Sequence, residues 1–74
     1  MEKKPPFQHL RHMKLVTGGC YELRRPLTGV RQFVLLSVHV SRDVSDWYDI
    51  TALTPDGKTV EFGFEDNVSL RRLS

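Results

Sequence analysis

The sequence is short of the features that secretion, membrane insertion or catalysis require. It holds a single cysteine, Cys20, so no intramolecular disulfide can form. Domains this small in oxidising compartments usually carry several such cross-links, so the expected location is the reducing cytoplasm. Long hydrophobic runs are missing as well. The longest nearly apolar stretch, Phe33 to Val40, covers eight residues and is interrupted by Ser37 and His39, where a bilayer span needs about 20. After Lys3 and Lys4 come two prolines, two histidines and an arginine, where a signal peptide would place its apolar segment. No membrane association is expected.

Catalytic signatures are equally scarce. There is no nucleophile elbow, no glycine-rich phosphate loop and no CxxC pair, and Cys20 reads as a small apolar residue opening a strand. His9 and His12 lie three apart without cysteine or carboxylate partners at a matching spacing, which does not make a metal site. The series Asp43, Asp46, Asp49 runs into a strand without the glycine on which a calcium loop turns. The expectation is a non-enzymatic protein without metal or cofactor.

With 74 residues, 39% of them hydrophobic and 27% charged, the chain has the composition of a globular protein rather than a disordered one. A chain of this length buries only about 60% of its unfolded surface, which allows one domain with a small core. The net charge of +2 conceals a strong segregation. Residues 1–14 carry Lys3, Lys4, Arg11 and Lys14 against Glu2 alone, so the rest of the chain sums to −1. Within that remainder, residues 15–42 hold four arginines against Glu22, and residues 43–66 hold seven acids against Lys58. Such blocks favour oppositely charged faces.

Period-two patterns then dominate. Cys20 to Arg25 alternates as a first strand, ended by Pro26 and Thr28-Gly29. In the second strand Val30, Val34, Leu36, Val38 and Val40 share one parity and are expected to face inward. Phe33 and Leu35 break that alternation on the other face, which implies a long bent strand covered at one end by another segment. Trp47 to Thr54 is a third strand, with Tyr48, Ile50 and Ala52 inward and Trp47, Asp49 and Thr51 outward. Pro55-Asp56-Gly57 is a hairpin turn: proline presets φ at its first corner and glycine supplies a positive φ. The fourth strand points Val60, Phe62 and Phe64 inward, a 3-10 turn suits Val68 to Leu70, and a short last strand follows. Ahead of these, Pro5-Pro6 and the spacing of Phe7, Leu10 and Lys14 allow one short helical turn within a basic arm.

Five short strands with a meander in the middle and a single turn before the last resemble an SH3-like small β-barrel over residues 18–73. The Pro55-Asp56-Gly57 turn is similar to the distal hairpin of SH3 domains, and Asp46-Trp47-Tyr48 resembles the aromatic pair that opens their third strand. The resemblance implies an all-β domain over residues 18–74, preceded by an arm over 1–17, with the first and last strands side by side. It also implies a binding module of the tudor-like or KOW-like kind. Proline-rich peptide recognition is not implied, because Tyr21-Glu22-Leu23 and Asn67-Val68-Ser69-Leu70 replace the two motifs that supply its aromatic walls.

Two candidate surfaces follow. Arg24, Arg25, Arg71 and Arg72, brought together by pairing of the first and last strands, would join Arg31 and the arm residues Lys3, Lys4, Arg11 and Lys14 in a surface for phosphate. The planar guanidinium forks of such arginines suit nucleic acid, or a complex that handles it. The competing reading has these arginines paired with Glu22, Glu61, Glu65 and Asp66. The second surface is Trp47, facing outward beside Asp46 and Asp49 and near Glu61 and Glu65, a set that could anchor a partner protein, including a host protein if the chain is a phage-type inhibitor.

Overall fold

The computed structural model describes residues 4–41 and 46–74, so Lys3, Arg42 and Asp43 lie outside the described residues. Among them are six strands, β1 (Gln8–His9), β2 (Cys20–Leu27), β3 (Val30–Ser41), β4 (Trp47–Leu53), β5 (Thr59–Glu65) and β6 (Ser69–Arg72), and no α-helix. One 3-10 turn, Leu10–His12, lies in the arm rather than before the last strand. All pairings are antiparallel, and the order across the sheet is β1-β6-β2-β3-β4-β5. The expected five-strand closed barrel is thus replaced by one open, six-stranded sheet. The added strand is part of the basic arm: Gln8 and His9 pair with Leu70 and Ser69. The expected adjacency of first and last strands is present in the register Tyr21↔Arg72, Glu22↔Arg71, Leu23↔Leu70.

Local sequence accounts for the turns. Thr28 and Gly29 both take positive φ, 50° and 80°, the requirement of a two-residue hairpin whose twist matches its strands. Pro26 does not end β2 but falls where the β2–β3 register is interrupted between Glu22 and Leu27, a place that tolerates a residue without an N–H. At the Pro55 turn Gly57 has φ 85°, and its N–H donates to the Thr54 carbonyl at 2.9 Å. The Thr54 hydroxyl donates to the Asp56 carboxylate, which is the main cause holding the Asp56 carboxyl below its ordinary range.

The inward face of β3 corrects the parity expected from its sequence. Phe33 and Leu35 are buried in the core and Leu36 is 40% exposed, whereas Val38, on the expected face, is nonetheless 36% exposed. The cause is a register shift: Leu35 pairs with Ala52, but Ser37 pairs with Thr51, so Leu36 is an extra residue. A bulge of this kind moves every later side chain to the other face. Val38 and Val40 accordingly rejoin the inner face opposite Ile50 and Tyr48. The break in alternation read from Phe33 and Leu35 thus corresponds to this register shift.

The core collects Tyr21, Leu23, Phe33, Leu35, Ile50, Ala52, Phe62, Phe64 and Leu70 from five strands, together with Leu10 of the arm. An aromatic series runs through it, with ring centroids 6.0 Å apart for Tyr21–Phe33, 5.8 Å for Phe33–Phe62 and 5.5 Å for Phe62–Phe64. Because Phe33 and Phe62 touch across an intervening strand, the sheet must curl with this face concave. The arm closes one end: Leu10 is wholly buried, its N–H donates to the Val68 carbonyl at 2.8 Å, and the Val16 N–H donates to the hydroxyl of buried Tyr21 at 2.8 Å.

Candidate interaction surface

The convex face of β3, β4 and β5 is built from cross-strand rows. Ser41, Trp47 and Glu65 form one row, His39, Asp49 and Gly63 the next, and Ser37, Thr51 and Glu61 a third. This places Trp47, Asp49, Glu61 and Glu65 on one surface, as alternation along β4 and β5 predicts. Asp46 precedes β4 and is half-buried.

Trp47 is 39% exposed yet held in place. Its indole N–H donates to Asp49 Oδ1 at 3.0 Å, and the Cζ2–Cε2–Nε1 edge of its ring lies against Gly63, where a methyl group would sit 2.9 Å from Cε2 and 3.1 Å from Nε1 and closer still to Cζ2. Only glycine permits that seat. Replacing Gly63 by alanine is therefore expected to displace the indole, red-shifting its fluorescence and raising its accessibility to acrylamide, with little loss of stability because the ring is at the surface. Sequence reasoning passed over Gly63, although a glycine inside a strand signals a close approach. A shallow hollow of about 560 Å³ is lined by His39, Asp49, Thr51, Glu61 and the same Gly63. Its carboxylates suit a cationic group.

The arginines are placed differently. Arg71 is committed to Glu22: its Nε–H donates to Glu22 Oε1 at 2.7 Å, and an ion pair joins the same groups. Gln32 Nε2–H donates to the other Glu22 oxygen at 2.9 Å. These bonds, Gln32 first and Arg71 next, hold the Glu22 carboxyl below its ordinary value of 4.5. The outer side of Arg71 is covered by the arm, its guanidinium carbon 4.2 Å from the Phe7 ring centroid. Arg72 is exposed and its Nε–H donates to the Ser74 carbonyl at 3.1 Å. For Arg71 this is the competing reading, in which Glu22 was one of the acids expected to pair with the arginines; Gln32 and Phe7 were not among the candidates, since their meeting with this pair depends on the tertiary fold.

Arg24 and Arg25 are exposed and line a groove of about 530 Å³ between β2 and the β5–β6 connection, opposite Asn67 and Ser69. Arg31 is exposed and lines a separate groove with Asp56 and Lys58. Lys4, Arg11 and Lys14 are exposed along the arm. The proposed basic set is thus spread over several surfaces, with Arg71 the member taken up by an internal pair. Among the described residues no three His, Cys, Asp or Glu side chains come together as a metal site requires, and no helix is long and apolar enough to cross a membrane.

Compared with protein-family models, with curated proteins and with solved structures, the chain matches none. The surface must therefore be read from its own chemistry.

Proposed function

We propose that this domain is a non-enzymatic interaction module of the cytoplasm that binds a partner protein through the convex face of β4 and β5. The observation that carries this reading is the solvent-facing Trp47, pinned by Gly63 and Asp49 on a face that also bears Glu61 and Glu65. A large aromatic already fixed in one orientation loses little side-chain entropy on binding, which is why such residues dominate interface energetics. The adjacency of β6, β2, β3, β4 and β5 supports reading the curled sheet as an SH3-like small barrel left open along one side, a scaffold that presents its convex strands to partners.

Capture from a lysate of the cells that encode the chain tests this. The wild type should retain a partner after nuclease treatment, and Trp47→Ala should reduce that capture at least tenfold while the denaturation midpoint changes little. Capture that is indifferent to Trp47→Ala would remove the reading. A second reading is favoured by the groove in which Arg24 and Arg25 face Asn67 and Ser69: contact with nucleic acid through its phosphates. Capture abolished by nuclease, and by Arg24→Ala with Arg25→Ala, would favour it instead.

A further inference from the structure

The open edge of the sheet lies beside Trp47. At the Pro55 turn the Thr54 N–H donates to the Lys58 carbonyl at 2.8 Å, which sets the phase of the β4–β5 ladder. Hydrogen-bonded pairs then recur every second residue, at Ala52↔Val60, Ile50↔Phe62 and Tyr48↔Phe64. The main-chain groups of Thr59, Glu61, Gly63 and Glu65 point away from β4. The Glu65 carbonyl is used locally, accepting from the Val68 N–H at 3.4 Å. No described strand pairs with Thr59, Glu61 or Gly63 on that side, because β5 is the last strand of the sheet.

Unpaired strand edges template the addition of another strand. Here the edge also has a chemical preference. On the convex side an added strand meets the Glu61 carboxylate and then the Trp47 indole lying over Gly63. On the concave side it meets Val60 and Phe62, both inward residues of β5. A second copy of this chain is a poor occupant: antiparallel pairing over the whole free stretch is centred on Glu61 and sets that carboxylate against its own copy, which is destabilising.

We infer that the β5 edge binds an extended basic segment of a partner protein by strand addition, with arginine or lysine alternating with apolar residues. One cationic side chain pairs with Glu61, the next stacks on Trp47, and the apolar residues between them extend the concave face. This rests on the reading of Trp47 as an interface residue and names the chemistry of its partner.

The probe is a seven-residue peptide alternating valine and arginine, titrated into the isotope-labelled full chain and followed by NMR. The amide resonances of Thr59, Glu61 and Gly63 and the Trp47 indole N–H should shift together. A peptide with glutamate for arginine should leave them unmoved. Glu61→Arg should weaken the affinity at least tenfold. N-methylation of alternate peptide nitrogens, which keeps every side chain but removes donors, should abolish binding in the phase that faces β5.

If both N-methylated phases bind as well as the parent, and only the indole moves, strand addition is overturned while the Trp47 interface stands. The same holds if the arginine peptide fails to bind yet partner capture depends on Trp47. Self-association at high concentration that shifts the same β5 amides would overturn the choice of occupant. Failure of the peptide together with capture indifferent to Trp47→Ala removes both readings.

Discussion

Leu35→Ala is expected to destabilise the domain by about 2–5 kcal/mol, the range for truncating a fully buried leucine in a core that only partly collapses around the cavity. For a chain this small, whose total stability is of the order of 4–11 kcal/mol, such a loss removes a large share of the total and, at the lower end of that range, leaves the domain largely unfolded. Leu36→Ala, one position on, should cost much less, about 1 kcal/mol, because that side chain is 40% exposed and lies outside the core. Urea denaturation of the two variants reads the difference directly. The pair is informative because both residues are leucine in the same strand, yet Leu35, opposite Ala52, belongs to the core and Leu36, the unpaired residue before Ser37↔Thr51, does not. A larger loss for Leu36→Ala than for Leu35→Ala would mean that β3 runs with the opposite parity, Leu36 rather than Leu35 facing the core.

The second large effect lies in the Glu22 cluster. Glu22 and Arg71 have side chains only 7% and 19% exposed, so removing the acid leaves a guanidinium with little water to replace it. Glu22→Ala should cost about 2 kcal/mol, below the cost for a wholly buried pair because Arg71 keeps some access to solvent and its stacking on Phe7. A double-mutant cycle with Arg71→Ala should show strong coupling, since each change alone strands the other group. The pH dependence follows from the lowered pKa of Glu22. The folded state binds the proton less readily than the unfolded chain, so the stabilisation is complete above the ordinary glutamate value of 4.5 and disappears as pH falls through the lower folded value. Glu22→Gln should therefore be less stable than the wild type at pH 7 and should lose less on acidification below 4.5. A wild type and Glu22→Gln variant with parallel stability curves in that window would show that Glu22 carries no such linkage.

These two sites also show how legible the molecule was before folding was considered. Tyr48, Ile50 and Ala52 face inward and Trp47 and Asp49 outward, as alternation required, because β4 carries no inserted residue. The Thr28-Gly29 and Pro55-Asp56-Gly57 turns were equally readable, since their backbone angles depend on the residues that occupy them. In β3 the same rule misplaced Leu35 and Leu36. Alternation is reliable only between irregularities, and nothing local marks the residue that bulges.

The candidate surfaces divide in the same way. Trp47, Asp49, Glu61 and Glu65 share one face because two adjoining regular strands place them there, and the strand parities alone nearly determine it. The arginines of β2 and β6 were rightly expected on neighbouring strands, but register decided their fate. It set Arg71 against Glu22 and Gln32, and left Arg24 and Arg25 in a groove away from it.

What the sequence determined by itself was an all-β chain, its principal strands and turns, its segregated charge and an outward tryptophan, all consequences of short-range sterics and period-two patterning. Tertiary structure alone decided that the arm supplies a strand and the buried Leu10, that β3 changes face at Leu36, that Glu22 neutralises Arg71, and that the sheet stays open at β5. Each of those depends on contacts between segments distant in the chain, where packing and pairing register outweigh what any local pattern of residues encodes.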